Sequence, residues 1–292
     1  MGTLDRKIDF AVILSVRNAN PNGDPLNGNR PRQNYDGKGE ISDVCLKRKI
    51  RNRLQDMGAS ILVQSDDRRQ DEYRSIKERV DANVDVKKFT MGKNQHSNLF
   101  AEAACEAWLD VRSFGQVFAF SKGDASNSVS VGVRGPVTIH TSISVDPIDI
   151  SSMQITKSVN TETSKDPDKK GSDTMGMKHR VDFGAYVFYG SMNPQLAEKT
   201  GFSYEDAQMI REALITLFEN DSSSARPDGS MEIHQVYWWE HPSRLGKYSS
   251  AKVHRSLRIA RKDGVADAKS IDDYDITVGA LEGLPVETYA GV

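Results

Sequence analysis

The chain has 292 residues, of which 37% are apolar and 27% are charged, and its formal net charge at pH 7 is −2. This composition predicts a folded core and excludes collagen-like, disulfide-stapled and largely disordered chains. The longest apolar runs have five residues, so no membrane span is expected. Four charges among the first ten residues argue against a signal peptide, and the presence of only two cysteines favours the cytoplasm.

The first elements are a strand, a long loop and a helix. Residues 8–17 alternate between apolar and polar side chains, which predicts a β-strand with one buried face. Residues 17–41 are rich in Asn, Gly and Pro and have no periodicity, and loops of this length inside a domain are usually functional. Ser42 is the expected N-cap of a helix that ends at Gly58. Its buried stripe is predicted to be Leu46, Ile50, Leu54 and Met57.

The remaining elements alternate between the two types. They are predicted to be a short strand around 61–63, a charged surface helix over 67–81, a helix over 97–109 capped by Ser97 with Leu99 inward, a long strand over 137–145, a central strand over 183–189, a helix over 204–219 capped by Ser203, and a strand over 231–240. Residues 156–180 are polar and predict a protruding hairpin arm.

This order, without its insertions, is β-α-β-β-α-β. It indicates an α+β fold of the ferredoxin-like or RRM-like plan, built as a single domain with large insertions. Residues 180–188 resemble an RNP-type aromatic pattern only loosely, so stacking of bases on the sheet is weakly supported.

Charge is segregated along the chain. Residues 30–53 carry a net charge of +5, residues 241–262 carry +7, and residues 263–292 carry −6. Basic surfaces gain affinity for phosphates through counterion release, although two solvated faces would have the same composition. The acidic segment suggests either autoinhibition or head-to-tail pairing of subunits.

Catalytic motifs are absent from the sequence. It has no Walker loop, dinucleotide fingerprint, zinc-protease helix or nucleophile elbow, and its histidines are scattered, so no metal or cofactor is predicted. Asp24 lies in an Asn-Gly-Asp-Pro turn, where it serves either the turn or a catalytic function. A basic helix beside a Gly- and Asn-rich loop favours binding of a nucleic acid through its phosphates.

Several segments together resemble one family. They are residues 18–25 (NANPNGDP), 27–32 (NGNRPR), 42–51 (SDVCLKRKIR), 110–115 (DVRSFG) and 132–136 (GVRGP). The chain resembles, over residues 8–262, the Cas7 family, the backbone subunit of type I CRISPR interference complexes, and most closely its type I-C branch.

The resemblance implies an architecture and a function. It implies a modified RRM-like palm, a helical insertion over about 60–135, a β-hairpin thumb over about 153–182 and an acidic segment over 263–292, all within one domain spanning 1–292. Copies of such a subunit stack head to tail along a CRISPR RNA, assemble with other Cascade subunits, and present the spacer for pairing with a target DNA strand. The family role is non-catalytic, and a surface that must accept any spacer should hold phosphates rather than read bases.

The resemblance also implies RNA-binding residues. In the glycine-rich loop they are Asn20, Asn22, Arg30 and Arg32. In the basic helix they are Ser42, Lys47, Arg48 and Arg51. Arg112 and Arg134 are expected to contact either RNA or a neighbouring subunit. In the thumb, the apolar wedge at the RNA kink is expected to be Met175 and Met177, and the phosphate contacts are expected to be Lys178 and His179.

Two alternative functions stay open at this point. Related subunits of type III systems cut RNA with a loop aspartate, so one alternative is a metal-dependent ribonuclease that uses Asp24. The other alternative is a general single-stranded RNA-binding protein outside CRISPR biology.

Overall fold

The computed structural model describes residues 2–89, 97–120, 129–159 and 175–292. Its strands are β1 (Ile8–Ala19), β2 (Gly23–Asp24), β3 (Arg30–Pro31), β4 (Lys38–Ile41), β5 (Gln116–Phe120), β6 (Val129–Val133), β7 (Val137–Ile139), β8 (Ser142–Pro147), β9 (Ile150–Thr156), β10 (Met175–Met192), β11 (Met231–Glu240), β12 (Leu257–Arg261), β13 (Tyr274–Val278) and β14 (Glu287–Ala290). Its helices are α1 (Asp43–Asp56), α2 (Ile76–Ala82), α3 (Val84–Lys87), α4 (Ser97–Ala107), α5 (Leu109–Phe114), α6 (Pro194–Thr200), α7 (Tyr204–Ile215) and α8 (Ser250–His254).

A large antiparallel sheet organises this mixed α/β fold. The strand order is β14-β11-β1-β10-β8-β4, and β7 and β9 also pair with β10. The 18-residue β10 therefore lies next to β1 on one side and to three successive strands on the other. The predicted strands over 8–17, 183–189 and 231–240 are confirmed as parts of β1, β10 and β11.

Helices α1 and α7 cover one face of the sheet. Alternate residues of β1 and the inner stripes of both helices form one buried cluster, whose members include Phe10, Val12, Leu14, Leu46, Ile50, Leu54, Ile210 and Leu214. Ser42 caps α1 by accepting a hydrogen bond from the Cys45 amide, and Ser203 caps α7 in a capping box with Asp206. Both helices are therefore confirmed, although α7 ends at Ile215 rather than at 219.

The opposite face of the sheet is also covered. Ala11 and Ile13 of β1 pack with Trp239 and with residues of the C-terminal segment, including Val253, Leu257 and Leu284. The prediction of one buried face for β1 is therefore wrong. The alternation failed as a signal because Ala11 and Ile13 are themselves apolar and Asp9 is buried among ionic partners.

The predicted acidic tail is part of the folded body. Strand β13 pairs with the basic strand β12, and β14 pairs with β11 at the edge of the main sheet. Residues 263–292 thus contact the basic segment of their own chain, and Tyr274 and Leu284 are buried there.

The insertion between α1 and β7 has its own small core. Phe100, Trp108 and Phe118 are buried in it together with Leu62 and Val80. The predicted strand over 61–63 is wrong, because the amides of Leu62 and Val63 donate to the carboxylate of Asp110 rather than to a strand.

The boundaries of the insertion's helices also differ from the sequence prediction. The predicted helix over 67–81 is reduced to α2, which begins after Ser75 in a capping box with Glu78. The predicted helix over 97–109 is confirmed as α4, but Leu99 lies on its outer side, 40% exposed.

Two further segments differ from the sequence prediction. The predicted loop over 17–41 contains the short hairpin β2–β3 and the edge strand β4, which pairs with β8. The predicted strand over 137–145 is divided into β7 and β8. Within the described ranges, no helix is long and apolar enough to cross a lipid bilayer.

Candidate nucleic-acid interface

Three segments meet at the C-terminal end of β1: the glycine-rich loop (20–32), the hairpin arm formed by β9 with the first half of β10, and the 221–230 loop. The Arg30 guanidinium donates to Ser152 Oγ at 3.0 Å, and Ser152 Oγ lies 2.8 Å from His179 Nδ1. The Lys178 ammonium donates to the Ser224 carbonyl at 2.9 Å. The backbone amide of Asn20 donates to the Ala225 carbonyl at 2.9 Å, so the glycine-rich loop and the 221–230 loop also contact each other.

The polar side chains of the glycine-rich loop hold its shape. Asn20 is buried, and its Nδ2 donates to the Asn29 carbonyl at 2.6 Å. Asn22 Oδ1 accepts from both the amide and the hydroxyl of Ser42, each at 2.9 Å, which ties the loop to the start of α1. A Cβ at Gly23 would lie 2.0 Å from the Asn29 side chain, so this position requires glycine. Asn20, Asn22 and Ser42 therefore position the loop.

Asp24 also has a structural role in this loop. Its carboxylate accepts from the Leu26 amide at 3.2 Å, which caps a short 3₁₀ turn, and lies 3.4 Å from an Arg32 amino group. Among the residues that the structure describes, no group of three or more His, Cys, Asp or Glu side chains could hold a metal ion.

The hairpin arm presents different side chains on its two faces. Met175, Met177 and His179 alternate along β10 and share one face, and the partner of His179 across the ladder is Ser152. Lys178 lies on the other face, opposite Met153. Met175 and Met177 are 63% and 56% exposed, so no core packing explains them.

The basic residues of α1 divide into outward and inward groups. Lys47 pairs with Asp43 one turn earlier, at 3.0 Å, and the exposed Arg48 has no hydrogen bond or ion pair with the described residues. Arg51 instead donates to the buried Asp110 carboxylate at 3.0 Å and lies over the Phe114 ring. Of the three basic residues of this helix that were predicted to contact RNA, only Lys47 and Arg48 are therefore presented to solvent.

A buried ion pair between α1 and the 221–230 loop stabilises one of the three segments of the interface. The Lys49 ammonium is 4% exposed and binds Asp221, which also accepts from Arg226 at 3.2 Å. Burial lowers the pKa of Lys49, although the Asp221 carboxylate opposes that shift. The same burial raises the pKa of the neighbouring Cys45, so this side chain is a neutral thiol. The pair fixes the 221–230 loop against α1.

Arg112 and Arg134 lie away from this interface. Arg112 forms a two-pronged ion pair with Asp206, with both N···O distances at 2.8 Å, which joins α5 to α7. Arg134 is exposed at the opposite end of β1, beside Lys7, Lys199 and Arg244.

A match to a family model shows to which protein family this chain belongs. Residues 6–279 match the model for CRISPR-associated protein Cas7. The chain belongs to the Cas7 family. A relative from Haloferax volcanii, CRISPR-associated protein Cas7, is 27% identical over 235 residues, which cover 77% of this chain and 67% of the relative.

Two chains of known structure are also similar to this Cas7 protein. One comes from a CRISPR RNA-guided surveillance complex, pre-nicking; it has a TM-score of 0.47 and 16% identity over 80% of this chain and 78% of its own. The other comes from a CRISPR RNA-guided surveillance complex and has a TM-score of 0.46 and 15% identity over 89% of this chain and 78% of its own.

The structure brings together part of the predicted Cas7 site. Arg30, His179 and Lys178 lie at the meeting of the three segments, with Arg32 in the same loop and Met175 and Met177 farther along the arm. Sequence reasoning missed the 221–230 loop, whose Ser-rich stretch and Arg-Pro-Asp-Gly turn were its only signal.

Proposed function

We propose that this Cas7 protein is a non-catalytic CRISPR RNA-binding subunit of a type I-C Cascade complex. Several copies assemble along one guide RNA in the cytoplasm and present the spacer for pairing with a target DNA strand. Other Cascade subunits complete the complex. Membership of the Cas7 family supports this role.

The meeting of the three segments is the observation that carries the proposal. Arg30, Lys178 and His179 lie there within hydrogen-bond reach of backbone or hydroxyl groups, so a bound phosphate has cationic or polar partners on both faces of the arm. Contacts of this kind hold phosphates and sugars rather than base edges, which suits a protein that must hold any sequence.

We assign parts of the fold to roles within this function. The four adjacent strands β11-β1-β10-β8, with α1 and α7 as their connecting helices, match the RRM-like plan and form the palm. The arm is the thumb, and Met175 and Met177 are its apolar wedge, because exposed methionines can insert between bases.

Asp24 separates this proposal from the ribonuclease alternative. Its carboxylate stabilises the loop, so Asp24→Asn should leave any RNA cleavage by the preparation unchanged. Loss of a metal-dependent cleavage in this variant, with RNA binding retained, would favour the ribonuclease.

The first test is the nucleic acid that copurifies with the chain. We expect a raised 260/280 nm absorbance ratio, a large assembly in size exclusion and, after limited nuclease digestion, RNA fragments with a regular step. A monomer without RNA would then be mixed with a repeat-spacer RNA. Failure to assemble on that RNA together with the partner subunits would contradict the proposal. Assembly on any RNA of the same length, with the full partner set present, would favour the general RNA-binding alternative.

A further inference from the structure

A polar cavity of about 360 Å³ lies beside the candidate nucleic-acid interface, at the same end of β1. Its lining includes Ser15, Arg17, Phe183, Ser230, His234 and Asp272. Ser230 ends the 221–230 loop, and its carbonyl accepts from the Arg17 amide at 2.8 Å. The cavity is therefore continuous with one of the three segments of the interface, and its volume suits a small organic group.

The hydrogen-bonding groups of the cavity are buried and incompletely used. Ser15 and Ser230 are each 9% exposed, and the Ser230 hydroxyl has no hydrogen-bond partner in the part of the chain that the structure describes. The Ser15 hydroxyl lies 2.8 Å from His234 Nε2. Burial lowers the pKa of His234, so its ring is neutral near pH 7. An unpartnered buried hydroxyl costs free energy, and a ligand that bonds to it removes that cost.

The cavity also offers a surface for stacking. The Arg17 guanidinium carbon lies 5.4 Å from the centroid of the Phe183 ring, to which it is paired across β1 and β10. Planar bases stack on aromatic rings and on guanidinium groups. The carboxylates of Glu232 and Asp272 lie in the same lining and would repel a phosphate.

We propose that this cavity takes one nucleoside unit of the RNA that binds at the interface, so the inference rests on the proposed function. The base lies against Phe183 and Arg17, and its edge bonds to Ser15, Ser230 and His234, while its phosphates stay outside. Hydroxyls and a neutral imidazole can each donate or accept, so the same groups serve any of the four bases. The cavity thereby adds affinity without reading sequence.

The test compares normal RNA with an abasic RNA of the same length. Phe183→Ala and His234→Ala should each weaken binding of normal single-stranded RNA, and Phe183→Ala should do so by about 5- to 150-fold, the size of one lost base–aromatic stack. Binding of the abasic RNA should be unchanged, because its phosphates are the same. Tyr73→Ala, which removes an exposed aromatic ring from the insertion, is the matched control.

The outcomes separate the two proposals. If the unaltered chain binds neither RNA, both proposals fail. If it binds normal RNA and both cavity variants bind it equally well, or if they lose affinity for abasic RNA to the same extent, the cavity proposal alone is overturned. RNA carrying 4-thiouridine should crosslink to peptides containing residue 183 or 234, and crosslinks found only elsewhere would overturn it. Displacement of the RNA by a free nucleoside monophosphate would assign the cavity to a mononucleotide instead.

Discussion

At the scale of single residues, ion pairing decides which basic side chains of α1 can meet an RNA. Lys49 and Arg51 lie inward, bonded to Asp221 and to the 1% exposed Asp110. Arg53 also points inward, where it pairs with Glu219. Removing a buried partner leaves an uncompensated charge, whereas an exposed cation costs little to remove. Lys47 and Arg48 should therefore act in binding, and the inward residues in folding.

We predict that removing the two outward cations, Lys47 and Arg48, changes RNA binding but not stability. Lys47→Ala combined with Arg48→Ala should weaken binding of all RNA sequences equally, because both side chains contact phosphates. The slope of log affinity against log salt should become shallower by about 1.4, since each single-strand phosphate contact contributes about 0.7. Filter binding over a range of salt concentrations measures this slope, and urea unfolding should show an unchanged midpoint. An unchanged salt slope would place the RNA on another face.

For the inward Arg51 we predict the opposite result, a loss of stability without a change in the salt dependence of binding. Arg51→Ala should lower the free energy of unfolding by about 3 to 5 kcal/mol, because it leaves the buried Asp110 carboxylate without its cation. The remaining folded protein should keep the salt slope of the unaltered chain. Urea unfolding followed by tryptophan fluorescence measures the first effect. A variant as stable as the parent, with a shallower salt slope, would return Arg51 to the RNA-binding set.

The sequence predicts the buried apolar stripe of α1, but it does not predict which basic residues of the helix point inward. The spacing of Leu46, Ile50 and Leu54 marks the buried face of the helix by itself. The partners of Lys49 and Arg51 lie 172 and 59 residues away in the chain, so no local pattern reveals them. The ion pair of Arg112 could not be predicted locally for the same reason, because its carboxylate partner lies 94 residues away.

At the scale of elements, Asp9 fastens the C-terminal segment to β1. Its fully buried carboxylate lies 2.8 Å from His241 Nε2 and 3.1 Å from the Lys7 ammonium. Burial alone would raise the pKa of Asp9, but hydrogen bonds from His241, Ser250 and Lys7 more than offset it and leave the pKa below its usual value. Local alternation could not predict this covered face, because the covering residues come from beyond position 241.

The depressed pKa of Asp9 gives stability a defined pH dependence. The stabilisation is complete above the unfolded pKa of about 3.9 and is lost as the pH falls through the lower folded pKa. Asp9→Asn should lower the free energy of unfolding at pH 7 by about 3 to 5 kcal/mol and flatten its fall below pH 4. Urea unfolding at a series of pH values tests this, with Asp5→Asn, an exposed carboxylate, as control. Parallel pH profiles for Asp9→Asn and the parent would contradict it.

At the scale of the whole molecule, opposite charges lie at opposite ends of the main sheet. Lys7, Arg134, Lys199 and Arg244 line a cavity of about 500 Å³ at the N-terminal end of β1. The acidic turn 263–273 lies at the other end, where the Lys269 carbonyl accepts from Arg17 at 2.7 Å. Lys7 and Arg17, which mark these two ends, are separated along β1 by about 33 Å. An exposed basic cluster at one end, and an acidic turn beside the candidate nucleic-acid interface at the other, favour head-to-tail association, which extends rather than closes.

From this arrangement we predict that reversing the charges at one end shortens the assemblies, and that reversing the charges at both ends restores their length. Truncation after Lys262 would be a poor test, because it deletes β13 and β14 together with the buried Leu284, and so uncovers Val253 and Leu257, which pack against Leu284. Reversal of exposed charges leaves the core intact: Arg134→Glu with Lys199→Glu should shorten the assemblies formed on a guide RNA, because like charges then face each other at each junction. Adding Asp263→Lys and Asp267→Lys to the same chain should restore their length.

Light scattering after size exclusion measures that length, and Arg74→Glu with Lys77→Glu, on the insertion, supplies a control with the same change in net charge. If the control shortens the assemblies as much, the effect belongs to net charge and weaker RNA binding. A different outcome is that the chain with all four substitutions still forms short assemblies, as it does with either pair of substitutions alone. In that case the basic end and the acidic turn contact other surfaces and not each other. Restoration specific to the double exchange is the one result that requires the acidic turn of one copy to lie on the basic end of the next.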